Sequence, residues 1–282
     1  MKKSLHTLLK LTNFELERLS KFLFTLMGLT LLINLVGYIY TPMKFMRKVN
    51  AYIAQNSATP QQALDTFGRF SFYDVTQTLW IAGPIAIGVS GLLLYSVFIW
   101  YREWFGKNTF AYRLLMLPVS RMTLYFSKLM TLFIGIFTLI ATQMISLFIG
   151  YPIVSAIIES AYAAEIGLMD AVQMNFLFFY LFPLDLGYFL VINAVGLILL
   201  LVLFTVILME RSFAVKGIML GIGYAICSLA VILFPLFLPD LMKNNYILYD
   251  SELLIIEIFL IAVVGAVSLV LSCHLINKKI TV

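Results

Sequence analysis

Charge is what this sequence has least of. Only 12% of its 282 residues are Asp, Glu, Lys or Arg, 62% are hydrophobic, and the mean hydropathy is +1.00. That balance excludes an ordinary soluble domain and marks an integral membrane protein. Cysteine is scarce too: Cys227 and Cys273 fall inside apolar runs, without metal-ligand spacing, and read as small core residues. There is no His/Glu metal cluster. No Gly-rich loop ends in Gly-Lys-Ser or Gly-Lys-Thr, so the chain does not hydrolyse ATP by that route and reads as a non-enzyme without a cofactor of its own. Neither a short-period repeat nor a Gly/Ser-rich linker divides it, which predicts a single transmembrane domain over residues 1–282.

What the chain does have is long apolar runs. A helix needs about 20 such residues to cross a bilayer. Six runs qualify, near 22–40, 79–100, 129–150, 186–209, 215–238 and 253–276, so the expected fold is an all-α membrane protein with six transmembrane helices. Basic residues set the orientation, because loops on the cytoplasmic side carry the excess. Of 19 Lys and Arg, 14 fall on one side: in residues 1–21, in 101–128, at Arg211 and Lys216, and at Lys278 and Lys279. Both termini are therefore expected in the cytoplasm, with the protein multi-pass in a cell membrane and in contact with membrane lipids; the net charge of +5 is a topology signal and calls for no nucleic acid.

Residues 1–21 place Leu5, Leu8, Leu9, Leu16 and Leu19 at helical spacing beside five basic residues, as in an amphipathic helix lying in the inner membrane surface. The first external segment, 41–78, contains Thr59-Pro60, a helix N-cap followed by proline at the first helical position, with Gly68 placed to close that helix. Lys44, Arg47 and Lys48 breach the charge rule; they touch headgroups, or the first helix continues past the membrane. The second external segment, 151–185, holds a nine-residue apolar stretch from Met174 to Phe182, too short to cross. Its Phe176, Phe178, Phe179 and Tyr180 read either as an interfacial anchor or as the wall of a substrate path or gate.

Other candidate chemistry is thin. Gly88-Val89-Ser90-Gly91 is similar to the serine motif of rhomboid-type intramembrane proteases, with His274 as the nominal base. Ser90 falls mid-span and His274 at a span end, a depth difference of roughly a dozen Å at about 1.5 Å per residue, so small residues for close helix packing is the better reading. Glu257, the one acid inside a predicted span, is a candidate gate or ion site; an ion-coupled secondary transporter would use it so. Asn34, Gln143 and Asn193 read as interhelical hydrogen-bonding groups.

The longest basic stretch is Tyr101 to Lys128, between the second and third spans. Read as a helix, Phe110, Leu114 and Leu117 form one apolar stripe while Lys107 and Arg113 sit off it. Pro118 ends that helix and Ser120 is placed to cap the next. With Arg102-Glu103, Thr109, Leu114-Leu115, Leu117-Pro118-Val119-Ser120-Arg121 and Lys128, the stretch resembles the permease subunits of ABC transporters of the type-2 exporter class. The resemblance implies that the segment around Lys107–Leu117 is a cytoplasmic coupling helix docking in a groove of a separate ABC ATPase subunit, which binds the ATP. It further implies a second permease subunit, identical or paralogous, and export of a hydrophobic or amphipathic compound such as a peptide or drug, in a bacterial cytoplasmic membrane.

Overall fold

A computed structural model describes residues 2–104, 120–164, 166–241 and 250–279. These are almost entirely helical: α1 (Lys2–Asn56), α2 (Pro60–Phe67), α3 (Phe72–Thr76), α4 (Leu79–Trp104), α5 (Arg121–Ile157), α6 (Leu168–Met174), α7 (Phe176–Leu181), α8 (Leu186–Leu241) and α9 (Asp250–His274), which ends in a wider π turn over Leu275–Lys279. Five of them, α1, α4, α5, α8 and α9, are long and apolar enough to cross a membrane. Six were expected. The difference lies in α8, whose 56 residues would measure about 84 Å as one straight helix, against a hydrocarbon core of about 30 Å. Its backbone leaves helical geometry at Ala214 (φ 51°, ψ −129°), inside the basic turn that the sequence places between two apolar runs. Past that residue the chain doubles back. A Cβ on Gly217 would collide with the Met209 carbonyl oxygen, and one on Gly221 would lie 3.0 Å from Val206, so glycine is what lets the two antiparallel arms close up.

The first helix also departs from expectation. Residues 2–21 are not a separate surface helix; they are the opening turns of α1, which runs without interruption to Asn56 and carries Pro42 inside it. One buried stripe explains this. From Thr12 and Glu15 through Leu19, Leu26 and Asn34 to Met46 and Val49, buried residues recur every three or four positions, so nothing in the packing asks the helix to turn at residue 21. Because α1 continues to Asn56, the basic residues Lys44, Arg47 and Lys48 sit on a helical extension, which is one of the two readings given for them.

The chain forms two compact units. The first comprises residues 17–92 and 134–185. Both segments that the sequence places between spans fold here into one cap. Thr59 caps α2 through a reciprocal capping box with Gln62, Pro60 takes the first helical position, and Gly68 closes the helix at φ 72°, as the sequence predicts. Phe70 then pairs with the chain around Ala163 as a short parallel bridge: its amide donates to the Tyr162 carbonyl (2.8 Å), and the Ala164 amide donates to its carbonyl (2.9 Å). Phe70, Phe72, Val75, Val154, Val172 and Phe178 fill the core beneath. Deeper in the unit the Asn34 amide donates to Gln143 Oε1 (2.9 Å) and to Ser146 Oγ (2.8 Å), joining α1 to α5, and Gly150 admits the Tyr38 ring, which a Cβ would meet at 2.5 Å. Asn193, by contrast, bonds within its own helix, to the Phe189 carbonyl.

The second unit comprises residues 1–16, 93–133 and 186–282. Here α9 packs along α8. Thr205 Oγ1 contacts Ser272 Oγ (2.9 Å) and the Ser268 carbonyl (3.2 Å), and Tyr224 shares a hydrogen bond with Ser268 Oγ (2.6 Å). Ile261, Val264, Ser268 and Ser272 form the buried side of α9, whereas Ile255, Phe259, Val263, Val267 and Val270 are exposed, the arrangement of a helix with one face to protein and one to lipid.

Candidate functional site

The described part of the Tyr101–Lys128 stretch is its two ends, and they are the most heavily charged buried place in the structure's described residues. On α4 the positions Tyr95, Phe98, Ile99 and Arg102 lie on one face, three or four residues apart. Arg102 donates from Nη2 to Glu15 Oε2 (2.8 Å) and from Nη1 to the Tyr95 hydroxyl (3.3 Å), and lies over the Phe98 ring. From α5, Lys128 donates to the other oxygen of the same carboxylate (3.2 Å) and to the Ile99 carbonyl (3.1 Å), with the Trp100 ring 5.4 Å away. Lys128 is 1% exposed and Glu15 3%. A lysine side chain so buried needs partners in place of water, and one carboxylate, one carbonyl and an aromatic face supply them here. Thr131, one turn further along α5, reaches the Thr12 carbonyl (3.5 Å), so α1 is held at two successive turns.

Three further contacts tie this site to the rest of its unit. Phe204 meets Trp100 and Tyr125 edge to face, with ring centroids 5.3 Å and 5.4 Å apart, which fixes the ends of α4 and α5 against the first arm of α8. The Tyr101 hydroxyl donates to Glu210, and Arg211 stacks over the Tyr101 ring at 4.4 Å, so the α8 turn is attached as well. Arg121, the first residue of α5, donates to the Ile276 carbonyl (2.8 Å) at the end of α9. Four long helices and the α8 turn therefore converge on the residues that bracket 105–119.

Lys107, Phe110, Arg113, Leu114 and Leu117, and Pro118 with them, lie outside the described residues. Ser120 stands immediately before α5, where its hydroxyl meets that of Thr123 (2.7 Å). Of the site, sequence reading singled out Arg102 and Lys128 and missed Glu15. The available signal was an acid in the middle of the Leu-rich N-terminal segment, in register with Thr12 and Leu19.

The other candidates are scattered. Phe178 is fully buried in the cap core, whereas Phe176, Phe179 and Tyr180 are exposed, so the four aromatics do not form one wall. Glu257 is half-buried on α9, in register with Ile261 and Val264. Ser90 is exposed; a Cβ on its neighbours Gly88 and Gly91 would meet Leu139 at 3.3 Å and Leu26 at 3.2 Å, which is the close-packing role. Cys227 is exposed and Cys273 half-buried, so Cys227 is not the core residue that its apolar surroundings suggested. Compared with protein-family profiles, with curated proteins and with solved structures, the chain matches none.

Proposed function

We propose that this chain is the permease subunit of an ATP-driven exporter of the ABC type-2 class, coupled through residues 105–119 to a separate cytoplasmic ATPase and paired with a second permease. The observation that carries this reading is the clamp at both ends of that segment. A single buried carboxylate, Glu15, holds Arg102 on one side of it and Lys128 on the other. A push on 105–119 would be delivered at once to α1 through Glu15, to the α8 turn through Tyr101, and to the end of α9 through Arg121. A segment resting on the membrane as a float has no use for such an anchorage.

In this reading the two arms of α8 each cross the membrane, which makes six crossings with both termini in the cytoplasm and the cap on the opposite side. The cargo is a hydrophobic or amphipathic compound such as a peptide or drug. Phe110, Leu114 and Leu117 fill an apolar groove on the ATPase, with Lys107 and Arg113 at its rim. Loss of a buried aromatic anchor weakens such a contact by about 2 kcal/mol, roughly thirtyfold in affinity. Affinity-tagged chain purified from its native membrane should bring the ATPase with it, and Phe110→Ala combined with Leu114→Ala should release it while membrane insertion and pairing of permeases persist. A double variant that retains the ATPase at full stoichiometry and couples normally removes the docking role. Absence of any ATPase, with transport following an ion gradient, replaces this reading by an ion-coupled carrier.

A further inference from the structure

The cap carries an exposed aromatic face on α7. Phe176, Phe179 and Tyr180 are 71%, 40% and 49% exposed and touch one another, with ring centroids 4.9 Å apart for Phe176 and Tyr180 and 5.6 Å for Phe179 and Tyr180. Their orientation is fixed from behind. Asn175 caps the helix by accepting from the Leu177 amide (2.9 Å), and its side-chain nitrogen donates to the Thr76 carbonyl (3.0 Å), while Phe178 fills the core and stacks on Phe182. The helix is thus locked with three aromatic rings turned outward, an arrangement that water disfavours.

Two considerations decide what covers it. The first is reach: α7 ends at Leu181 and the next apolar helix begins at Leu186, and five residues span at most about 18 Å, so α7 cannot stand far above the membrane face where α8 enters. The second is area. An aromatic side chain presents roughly 150–250 Å², so at these exposures the three rings offer about 300 Å², well short of the ~800 Å² that each partner of a stable protein complex contributes. Aromatic rings are also the side chains that settle at the boundary between headgroups and acyl chains. We infer that α7 is a lipid-anchoring helix: the cap sits on the leaflet at its side of the membrane with Phe176, Phe179 and Tyr180 in the interfacial layer. No Lys or Arg occurs between residues 153 and 185, so α7 itself engages the leaflet through its rings and not through attraction to anionic headgroups. It does not depend on the exporter reading.

The test uses the full chain with Cys227→Ser and Cys273→Ser, a single introduced cysteine carrying an environment-sensitive fluorophore, and nanodiscs of zwitterionic lipid with or without a shallow nitroxide on the acyl chain. Phe176→Cys and Phe179→Cys are the probe sites. Gln55→Cys, exposed at the end of α1, serves as an aqueous reference, and Val263→Cys, exposed near the middle of α9, as a deep one. The expected result is strong quenching by the lipid nitroxide at both probe sites, with quenching by aqueous iodide several-fold weaker than at Gln55, and no change when the zwitterionic lipid is replaced by an anionic one. Iodide quenching equal to that at Gln55, without lipid quenching, places α7 in water and overturns the inference. Protection from both quenchers also overturns it, and points to a protein or a transported compound on this face.

Discussion

The two units of this protein are fastened by different kinds of polar chemistry. The unit that brackets residues 105–119 buries an ionic cluster, Glu15 with Arg102 and Lys128, at the ends of apolar runs, beside neutral pairs such as Thr205 with Ser272. In the cap unit the buried interhelical ties are neutral: Asn34 with Gln143 and Ser146 in the apolar middle of α1 and α5, and Asn175 with Thr76 in the cap. Depth explains the division. A charge near the bilayer centre is expensive whatever its partner, whereas one near an interface retains some hydration until its partners arrive; an amide is tolerated at either level once hydrogen-bonded. The ionic site should therefore be the brittle one and the amide site the forgiving one.

Removal of the shared carboxylate gives the largest expected effect. Glu15→Ala removes the buried carboxylate that Lys128 and Arg102 share and should destabilise the folded protein by about 3–5 kcal/mol, read as loss of heat-resistant, monodisperse protein in mild detergent. Adding Lys128→Met should recover much of that loss, since an apolar side chain of similar length demands no partner; absence of recovery would mean that Glu15 serves Arg102 alone. Next comes Phe178→Ala, which empties a fully buried aromatic site in the cap core and should cost about 3 kcal/mol or more, seen as proteolysis within the cap while the long helices stay protected. The smallest effect is expected for Asn34→Leu. Interhelical hydrogen bonds in membranes contribute about 1 kcal/mol, so this variant should lower the unfolding midpoint only slightly. If Asn34→Leu proved as damaging as Glu15→Ala, the contrast between the units would collapse.

These pairings also show where sequence reading succeeds. The apolar runs and the Thr59, Pro60 and Gly68 signals were legible because each is local: hydropathy over twenty residues, or a cap read within a few. The turn at Ala214 was legible from its charges, although the backbone that makes it was not. Glu15 was missed because its partners lie 87 and 113 residues away, and no local pattern announces them. The cap was read as two external segments with no pairing between them for the same reason, since Phe70 meets Ala163. The false boundary at residue 21 came from following the exposed leucines at positions 5 and 9, while the buried stripe that governs α1 passes through Thr12 and Glu15.

The distance between Glu15 and Lys128 along the chain has a consequence for biosynthesis. At about 5–20 residues per second, the ribosome needs roughly 6–20 s to make the 113 residues that separate the carboxylate from its ammonium partner. Throughout that interval the opening turns of α1 carry an acid whose final environment does not yet exist. The opening turns of α1 thus wait on residues made well after them, and the emergence of α5 sets the moment at which they can settle.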